Sequence, residues 1–371
     1  MREGWEIKTI SDVCEIRSGR SQKEVENPNG KYPIYGSGGI MGYADDYLCE
    51  AGATIIGRKG SINNPIFVET KFWNVDTAFG FSPKENILPK FLFYFCKGFN
   101  FQNMNKGTTI PSLVKTDLLQ IRIPIPSLPE QQRIVDILDR EFAKIDALKA
   151  NAEKSLQAAK DLFQATLKKE LEPKAGWKEY CLKDVCTDYG DYGMSLPSKA
   201  YESVRYLRIT DITEWGELNN DRVSVDTDFI EDRYMLKDGD VLFARTGATV
   251  GKTLVYEDAF GDCCYAGYLI RYRPNQDIVL PRMLYFITHS ASYYEWVATN
   301  QKSATLPNIS AKLYNAFELT LPSIKEQKEI VSRLDDLANK SKALNGNYQK
   351  TLTLCDDLKQ SILRKAFNGE L

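Results

Sequence analysis

"TTIPSLVKTDLLQIRIPIPSLPEQQRIVDILD", residues 108–139, aligns without a gap to "ATLPNISAKLYNAFELTLPSIKEQKEIVSRLD", residues 304–335, at an offset of 196. Thr109/Thr305, Pro111/Pro307, Pro126/Pro322, Ser127/Ser323, Glu130/Glu326, Gln131/Gln327, Ile134/Ile330, Val135/Val331 and Asp139/Asp335 are shared, and Leu113 faces Ile309. A match of this length marks a duplicated unit, so the chain reads as one plan written twice. The register continues through Asp161/Asp357, Leu162/Leu358, Gln164/Gln360 and Leu167/Leu363. The start of each half repeats as well: "GWEIKTISDVCEI" from Gly4 matches "GWKEYCLKDVCTD" from Gly176, at an offset of 172. The growth from 172 to 196 places 24 inserted residues inside the second globular part. The halves therefore share their ends and differ in their middles.

Each half runs from a region rich in Gly, Pro, aromatic and β-branched residues into a long polar helix. "IPSLPEQQRI" and "LPSIKEQKEI" set a serine, Ser127 or Ser323, three residues before Glu130 or Glu326, as in a capping box, so the helices are expected to begin near 128 and 324. Four segments follow: globular parts at 1–127 and 173–323, and helices at 128–172 and 324–371. The first helix carries apolar or small residues at Ile134, Leu138, Phe142, Ile145, Leu148, Ala152, Leu156, Ala159, Phe163 and Leu167. Their mean spacing of about 3.67 predicts a nearly straight rod with one apolar stripe. No proline interrupts it between Glu130 and Pro173, so some 40 residues at about 1.5 Å each make about 60 Å. Such a stripe needs a partner, and its own repeat supplies one through Ile330, Leu334, Ala338, Leu344, Tyr348, Leu352, Cys355 and Leu363. The expectation is an α+β chain of two mixed domains joined by two long antiparallel helices about a pseudo-twofold axis. A generic coiled-coil spacer in a two-lobed scaffold is the alternative.

Composition narrows the chemistry. The start "MREGWEIKTI" has no apolar signal region and no run of eighteen apolar residues occurs, so neither export nor membrane insertion is expected and the cytoplasm is the default. The only histidine is His289, and the eight cysteines lack metal-ligand spacing. Zinc binding and histidine acid–base catalysis are disfavoured, and the thiols read as reduced and structural. Net charge is -2; residues 1–129 hold 15 Lys+Arg against 13 Asp+Glu, and residues 173–325 hold 17 against 21. Any nucleic-acid binding must come from local clusters or from a basic partner, not from a global field.

Local clusters exist. "YPIYGSGGIMGY" (32–43), "IIGRKGSINNP" (55–65) and "NKGTTIPSL" (105–113) combine glycines with Arg, Lys, Ser and Thr, which suits close approach to a phosphate backbone. In the second half "DVLFARTGATVGK" (240–252) occupies the place of "GATIIGRKGSINN" (52–64), so Arg58/Arg245, Gly60/Gly247 and Ser61/Ala248 correspond. "ARTGATVGKT" also looks like a nucleotide-binding loop, but residue 246 is Thr where G-x-x-x-x-G-K-[ST] requires Gly, with Gly247 one step late. A corner present in both halves and P-loop-like in only one is better read as an arginine corner that grips phosphate or reads guanine. "NNPIF" (63–67) approaches the base-holding loop of amino-methyltransferases, yet Ile66 stands where a second proline belongs.

In their duplicated order, these marks resemble the specificity (S) subunit of Type I restriction-modification systems. The marks are the twofold P-S-[LI]-x-E-Q before a long helix, the T-[IL]-P step, "FARTGATVGK", "RYLRITDI" (205–212), "YPIYGSGGIMGY" and "AFNGEL", and the resemblance spans essentially the whole chain. It implies a non-catalytic DNA-binding subunit whose two target recognition domains each read half of a bipartite, asymmetric site in double-stranded DNA. It also implies helices that act as a ruler and as a platform for two methyltransferase (M) subunits, with restriction (R) subunits joining. S-adenosylmethionine, ATP and magnesium would then belong to those partners, with no cofactor or metal in this chain. A specificity subunit serving a fused methyltransferase-nuclease is a variant within the same family. The DNA-contacting candidates are Tyr35, Ser37, Arg58, Lys59, Ser61, Lys106 and Thr108 in the first domain. In the second they are Arg245, Thr246, Thr249, Lys252, Lys302 and Ser303. The apolar stripe residues Ile134, Leu138, Ile145, Leu156, Leu167, Ile330, Leu334, Leu352 and Leu363 are the candidate partner-binding set.

Overall fold

A computed structural model describes residues 4–301 and 307–371. The chain divides into two compact units: unit 1 holds residues 1–154 and 348–371, and unit 2 holds 155–347. Two helices, Leu128–Leu171 and Ile324–Asn368, run through both.

Unit 1 contains β1 (Glu6–Thr9), β2 (Cys14–Ser18), β3 (Tyr32–Gly36), β4 (Gly39–Ala44), β5 (Ala53–Gly57), β6 (Ile66–Val68), β7 (Trp73–Asn74), β8 (Ala78–Pro83) and α1 (Pro89–Gly98). A short helix, α2 (Lys115–Leu119), and β9 (Arg122–Ile125) lead into α3, the long helix Leu128–Leu171. Strand β5, "ATIIG", is buried along its whole length and lies inside the antiparallel order β2-β8-β5-β6. Strand β1 pairs with β9, the strand just before the long helix, while β4-β3-β7 form a separate three-stranded sheet.

Unit 2 contains β10 (Lys178–Cys181), β11 (Asp191–Tyr192), β12 (Lys199–Ala200), β13 (Arg205–Leu207), β14 (Val223–Ser224), β15 (Val241–Ala244), β16 (Thr253–Val255), β17 (Cys263–Tyr265) and β18 (Leu269–Tyr272). Helices α4 (Pro281–Thr288), α5 (Ala291–Asn300) and α6 (Ala311–Asn315) follow, then β19 (Glu318–Leu321) and α7, the long helix Ile324–Asn368. The plan of unit 1 returns: β11-β18-β15-β16 reproduces β2-β8-β5-β6, and β10 pairs with β19 as β1 does with β9. The middles differ. Where β3 turns through Ser37–Gly38 into β4, β13 continues into residues 208–235, which include β14, the strand that pairs back with β12.

One buried side chain per unit locks the long helix to its domain. Gln131 and Gln327 are fully buried. Gln131 accepts the Leu88 N–H at 2.9 Å and donates to the carbonyls of Pro126 at 3.0 Å and Asn86 at 3.2 Å. Gln327 repeats this with Leu280 N–H at 3.0 Å, Pro322 O at 3.0 Å and Ile278 O at 2.8 Å. Both receiving turns begin a Leu-Pro-started helix, α1 or α4, so one amide satisfies the turn and the helix entry together. Asp139 and Asp335 add a second tie, to Lys90 and Tyr94 in unit 1 and to Arg282 in unit 2. The glutamates of the expected capping box reach sideways: Glu130 pairs with Arg133 and Glu326 accepts from Trp177 Nε1, while the Glu326 N–H does meet Ser323 Oγ at 3.4 Å.

The long helices pair antiparallel inside each unit. In unit 1, Lys149 meets Asp356 at 2.8 Å and Lys359 meets Asp146, so the numbering runs in opposite senses. In unit 2, Arg333 binds Glu170 at 2.7 Å. Aromatic edges add to the packing of unit 1, with Phe367 against Phe91 at 5.1 Å and Phe142 against Tyr94 at 5.3 Å. Burial follows 138, 142, 145, 149, 152, 156, 159 and 163 on α3, and 334, 338, 341, 345, 348, 352 and 355 on α7. These alternating steps of four and three are local to the middle of each helix; with the buried Ile134 and Leu167 included, ten positions on α3 span 33 residues, the mean of about 3.67 expected from the sequence. Two leucines fall off this seam. Leu148 and Leu344 are 57% and 44% exposed, and the less apolar Lys149 and Asn345 stand nearer the seam.

Candidate nucleic-acid interface

The two arginine corners are built alike. Arg58 follows β5 and Arg245 follows β15, the equivalent inner strands of equivalent sheets. The Arg58 N–H donates to Thr77 O at 2.8 Å, and the Arg245 N–H to Tyr268 O at 3.0 Å. Two residues on, the Gly60 N–H donates to Pro111 O and the Gly247 N–H to Pro307 O, both at 3.0 Å. The arginine carbonyls accept from Leu113 N–H at 2.9 Å and Ile309 N–H at 2.8 Å. Lys59 thus bridges to Ser112 and Thr246 to Asn308. The repeated T-[IL]-P step is the segment that clamps each corner across the chain, which explains why it recurs with the arginine.

Both corner glycines need the left-handed region, Gly60 at φ +80° and Gly247 at φ +73°. The end of β3 covers the first, with Ser37 Oγ 3.5 Å from the position of a Gly60 Cβ; Ile209, just beyond β13, covers the second at 3.9 Å. Ser37 and Arg58 therefore belong to one surface. Tyr35 is half-buried, edge-on to Phe72 at 5.6 Å, and burial raises its phenol pKa.

In unit 1 the structure gathers Ser37, Arg58, Lys59, Ser61, Lys106 and Thr108 around this clamp. Lys59, Ser61, Lys106 and Thr108 are exposed. The Arg58 guanidinium lies 6.0 Å from the Phe79 ring, and its Nη1 reaches Asp76 O at 3.4 Å. Asn105 shapes the neighbouring loop: its Oδ1 accepts the N–H groups of Gly107 and Ser112, each at 2.8 Å, and its Nδ2 donates to Gly107 O at 3.1 Å. A Cβ on Gly107 would stand 1.9 Å from Ile110 O, so the loop requires glycine there. Lys106 lies 3.7 Å from the Asp117 carboxylate, an exposed pair worth little. The asparagine in "NNPIF", Asn63, caps the chain by accepting the Phe101 N–H at 2.8 Å; its role is architectural.

In unit 2 the P-loop comparison ends in the backbone. The N–H groups of Gly247, Val250, Gly251 and Lys252 donate to Pro307, Gly247, Ala244 and Thr249 carbonyls, so these four amides are spent inside the turn and do not face a phosphate. Gly251 has φ +88°, and a Cβ on it would stand 2.9 Å from Val297; it is glycine for the approach of α5. Thr246, Thr249 and Lys252 are half-buried around this turn, and the Thr249 hydroxyl bonds back to Thr246 O at 3.4 Å. Lys302 and Ser303 lie outside the described residues. Arg245 opens into a cleft of about 750 Å³ bounded by Met194–Ser198, Arg208–Thr210 and Ala266–Tyr268. Its guanidinium stacks on Tyr192 at 4.7 Å from the ring centroid.

Of the partner-binding candidates, Ile134, Leu138 and Leu363 are buried in the core of unit 1, Leu167, Ile330 and Leu334 in that of unit 2, and Ile145 is buried on α3 outside both clusters. Leu156 and Leu352 are half-buried on the seam. The seven buried ones serve packing within the chain, whereas Leu148, Leu162, Leu344, Leu354 and Leu358 remain exposed on the long helices. Sequence reasoning missed Gln131, Gln327, Asn105 and Tyr192. The second repeat that holds the receiving turns, "LPKFLFYF" (88–95) against "LPRMLYFI" (280–287), was legible. Among the described residues no group of His, Cys, Asp or Glu has metal-binding geometry, and no helix is long and apolar enough to cross a membrane.

The model of the Type I restriction modification DNA specificity domain matches residues 2–158 and 174–354. The Type I restriction enzyme EcoBI specificity subunit of Escherichia coli is 27% identical over 419 residues, covering 100% of this chain and 87% of that one. The StySPI specificity subunit of Salmonella potsdam is 25% identical, covering 78% and 67%. A solved chain from a study of complex assembly and conformational transition of the type I R-M system superposes with a TM-score of 0.78 at 21% identity, covering 100% and 99%. The HsdS subunit from Thermoanaerobacter tengcongensis gives 0.53 at 21%, covering 100% and 98%.

Proposed function

Because the chain belongs to the Type I restriction modification DNA specificity family, we propose that it is the non-catalytic subunit that selects the DNA sequence on which a Type I restriction-modification complex acts. The carrying observation is the duplicated arginine corner: one clamp, built twice, set among different neighbours in each unit. Two like domains with unlike surroundings suit a bipartite, asymmetric site, since identical domains about a twofold axis would read a palindrome.

On this reading residues 1–127 and 173–323 are the target recognition domains. Arg58, Lys59, Ser61, Lys106, Thr108, Ser37 and Tyr35 meet one half-site, and Arg245, Thr246, Thr249, Lys252, Lys302 and Ser303 meet the other. The long helices set the unread spacing, and their exposed leucines offer apolar area to two methyltransferase subunits. Restriction subunits join that complex in the cytoplasm. The partners bring S-adenosylmethionine, ATP and magnesium. The near-neutral charge of the chain, -2 overall, suits a division of labour in which the partners supply much of the phosphate grip.

Selection of duplexes from a randomised pool by the full chain with its methyltransferase subunit tests this. Two short enriched blocks separated by a fixed unselected gap are expected. No enrichment over the methyltransferase alone would leave a two-lobed coiled-coil scaffold as the better account.

A further inference from the structure

We propose that Tyr192 holds the Arg245 guanidinium in the plane needed to read a guanine edge, so that the half-site of unit 2 contains an obligatory guanine. This rests on the specificity reading above and assigns a chemistry to one of its corners. Tyr192 is pinned at its far end, where its hydroxyl accepts the Ala311 N–H at the start of α6 at 2.9 Å. The arginine is pinned on both sides through its own main chain, to Tyr268 and Ile309. Among the described residues its Nε is buried without an acceptor, which leaves the two terminal nitrogens as its donors for a ligand in the cleft it lines. A guanidinium held over a fixed ring, offering a planar fork, matches the paired O6 and N7 acceptors of guanine in the major groove.

Phosphate is the competing ligand, and the charge around the cleft argues against it. The cleft is lined by a second arginine, Arg208, but that side chain is bonded to Asp211 and Asp221, each at 2.8 Å. The charge of Arg208 is therefore offset by its own two carboxylates. A phosphate grip relies on cations in surplus, and hydroxyl groups of Ser195, Ser198 and Thr210 complete this wall instead. The corner of unit 1 differs. Arg58 lies 6.0 Å from the ring of Phe79, and among the described residues no tyrosine lies under it; it spends one nitrogen on Asp76 O, with exposed Lys59 and Lys106 beside it. That arrangement fits a backbone contact.

The test is the randomised-duplex selection with methyltransferase subunit, run on the wild type and on Arg245→Lys, Tyr192→Leu and Tyr192→Phe, with thermal melts as a folding control. The wild type is expected to enrich guanine at one fixed position of one block. Arg245→Lys and Tyr192→Leu should reduce that preference about tenfold or more and leave the other positions intact; Tyr192→Phe, which keeps the ring and loses the pin, should fall between. Uniform weakening across sequences, with the salt dependence reduced by about one ion, would make Arg245 a phosphate contact and overturn the proposal while the specificity reading stands. Full guanine preference in a folded Tyr192→Leu would overturn the positioning role. Absence of any enriched block in the wild type would instead remove the specificity reading itself.

Discussion

Replacing Gln327 by leucine removes three hydrogen bonds from the base of α7 while keeping most of the side-chain volume. The Leu280 N–H and the carbonyls of Ile278 and Pro322 lose their partner, at a fully buried residue where water cannot replace it without repacking. At about 1 kcal/mol for each bond the loss is about 3 kcal/mol. For a unit of this size that corresponds to a fall of about 6–12 °C in the melting of unit 2. Urea unfolding read by hydrogen exchange on peptides covering α4 measures it unit by unit, free of the assumption that the whole chain unfolds in one step. Gln131→Leu should cost unit 1 about the same, because its three bonds match. A loss under about 1 kcal/mol in either unit, or a changed DNA motif with unchanged stability, would refute the view that this duplicated glutamine is a lock and not a reading residue.

Arg245→Ala should weaken cognate binding by about 1–3 kcal/mol in a titration against the selected duplex; unchanged affinity removes it from the interface. Gly251→Ala should destabilise unit 2 by at least about 1–2 kcal/mol in urea, from its φ of +88° and the 2.9 Å approach of Val297, and millimolar ATP should not shift the melting of the wild type. A dose-dependent ATP shift would contradict the inward-bonded loop. Burial lowers the His289 pKa to about 4. The folded state therefore resists a proton that the unfolded chain takes near pH 6.5, so this stability is full above about 6.5 and is lost as pH falls toward 4. It amounts to about 2 kcal/mol between pH 7 and 5. Urea midpoints for the wild type and His289→Asn, compared for their change between those pH values, check it: equal declines would sink the assignment.

The halves, the helix starts and the paired arginines were readable because they repeat in sequence at fixed offsets. The clamp around those arginines was half visible: the T-[IL]-P step announced itself by recurring, but not that Pro111 and Pro307 accept from Gly60 and Gly247. The partner of Gln131 lies 43 residues earlier on a turn, and no local pattern encodes that distance. Apolar spacing misjudged the seam because counting leucines rewards Leu148 and Leu344, whereas the geometry favours positions whose Cβ faces the other helix, where Lys149 bends outward to Asp356. Tyr192 was one tyrosine among 20; only its contact with Arg245 distinguishes it.

The most direct measurement is a genome-wide map of methylated adenine in cells carrying the methyltransferase subunit with this chain present, deleted and restored. The account predicts one bipartite motif with a fixed unread gap, lost on deletion and regained on restoration. Methylation of the same sites without the chain, or of a single uninterrupted motif with it, would contradict the claim that its two units select the sequence.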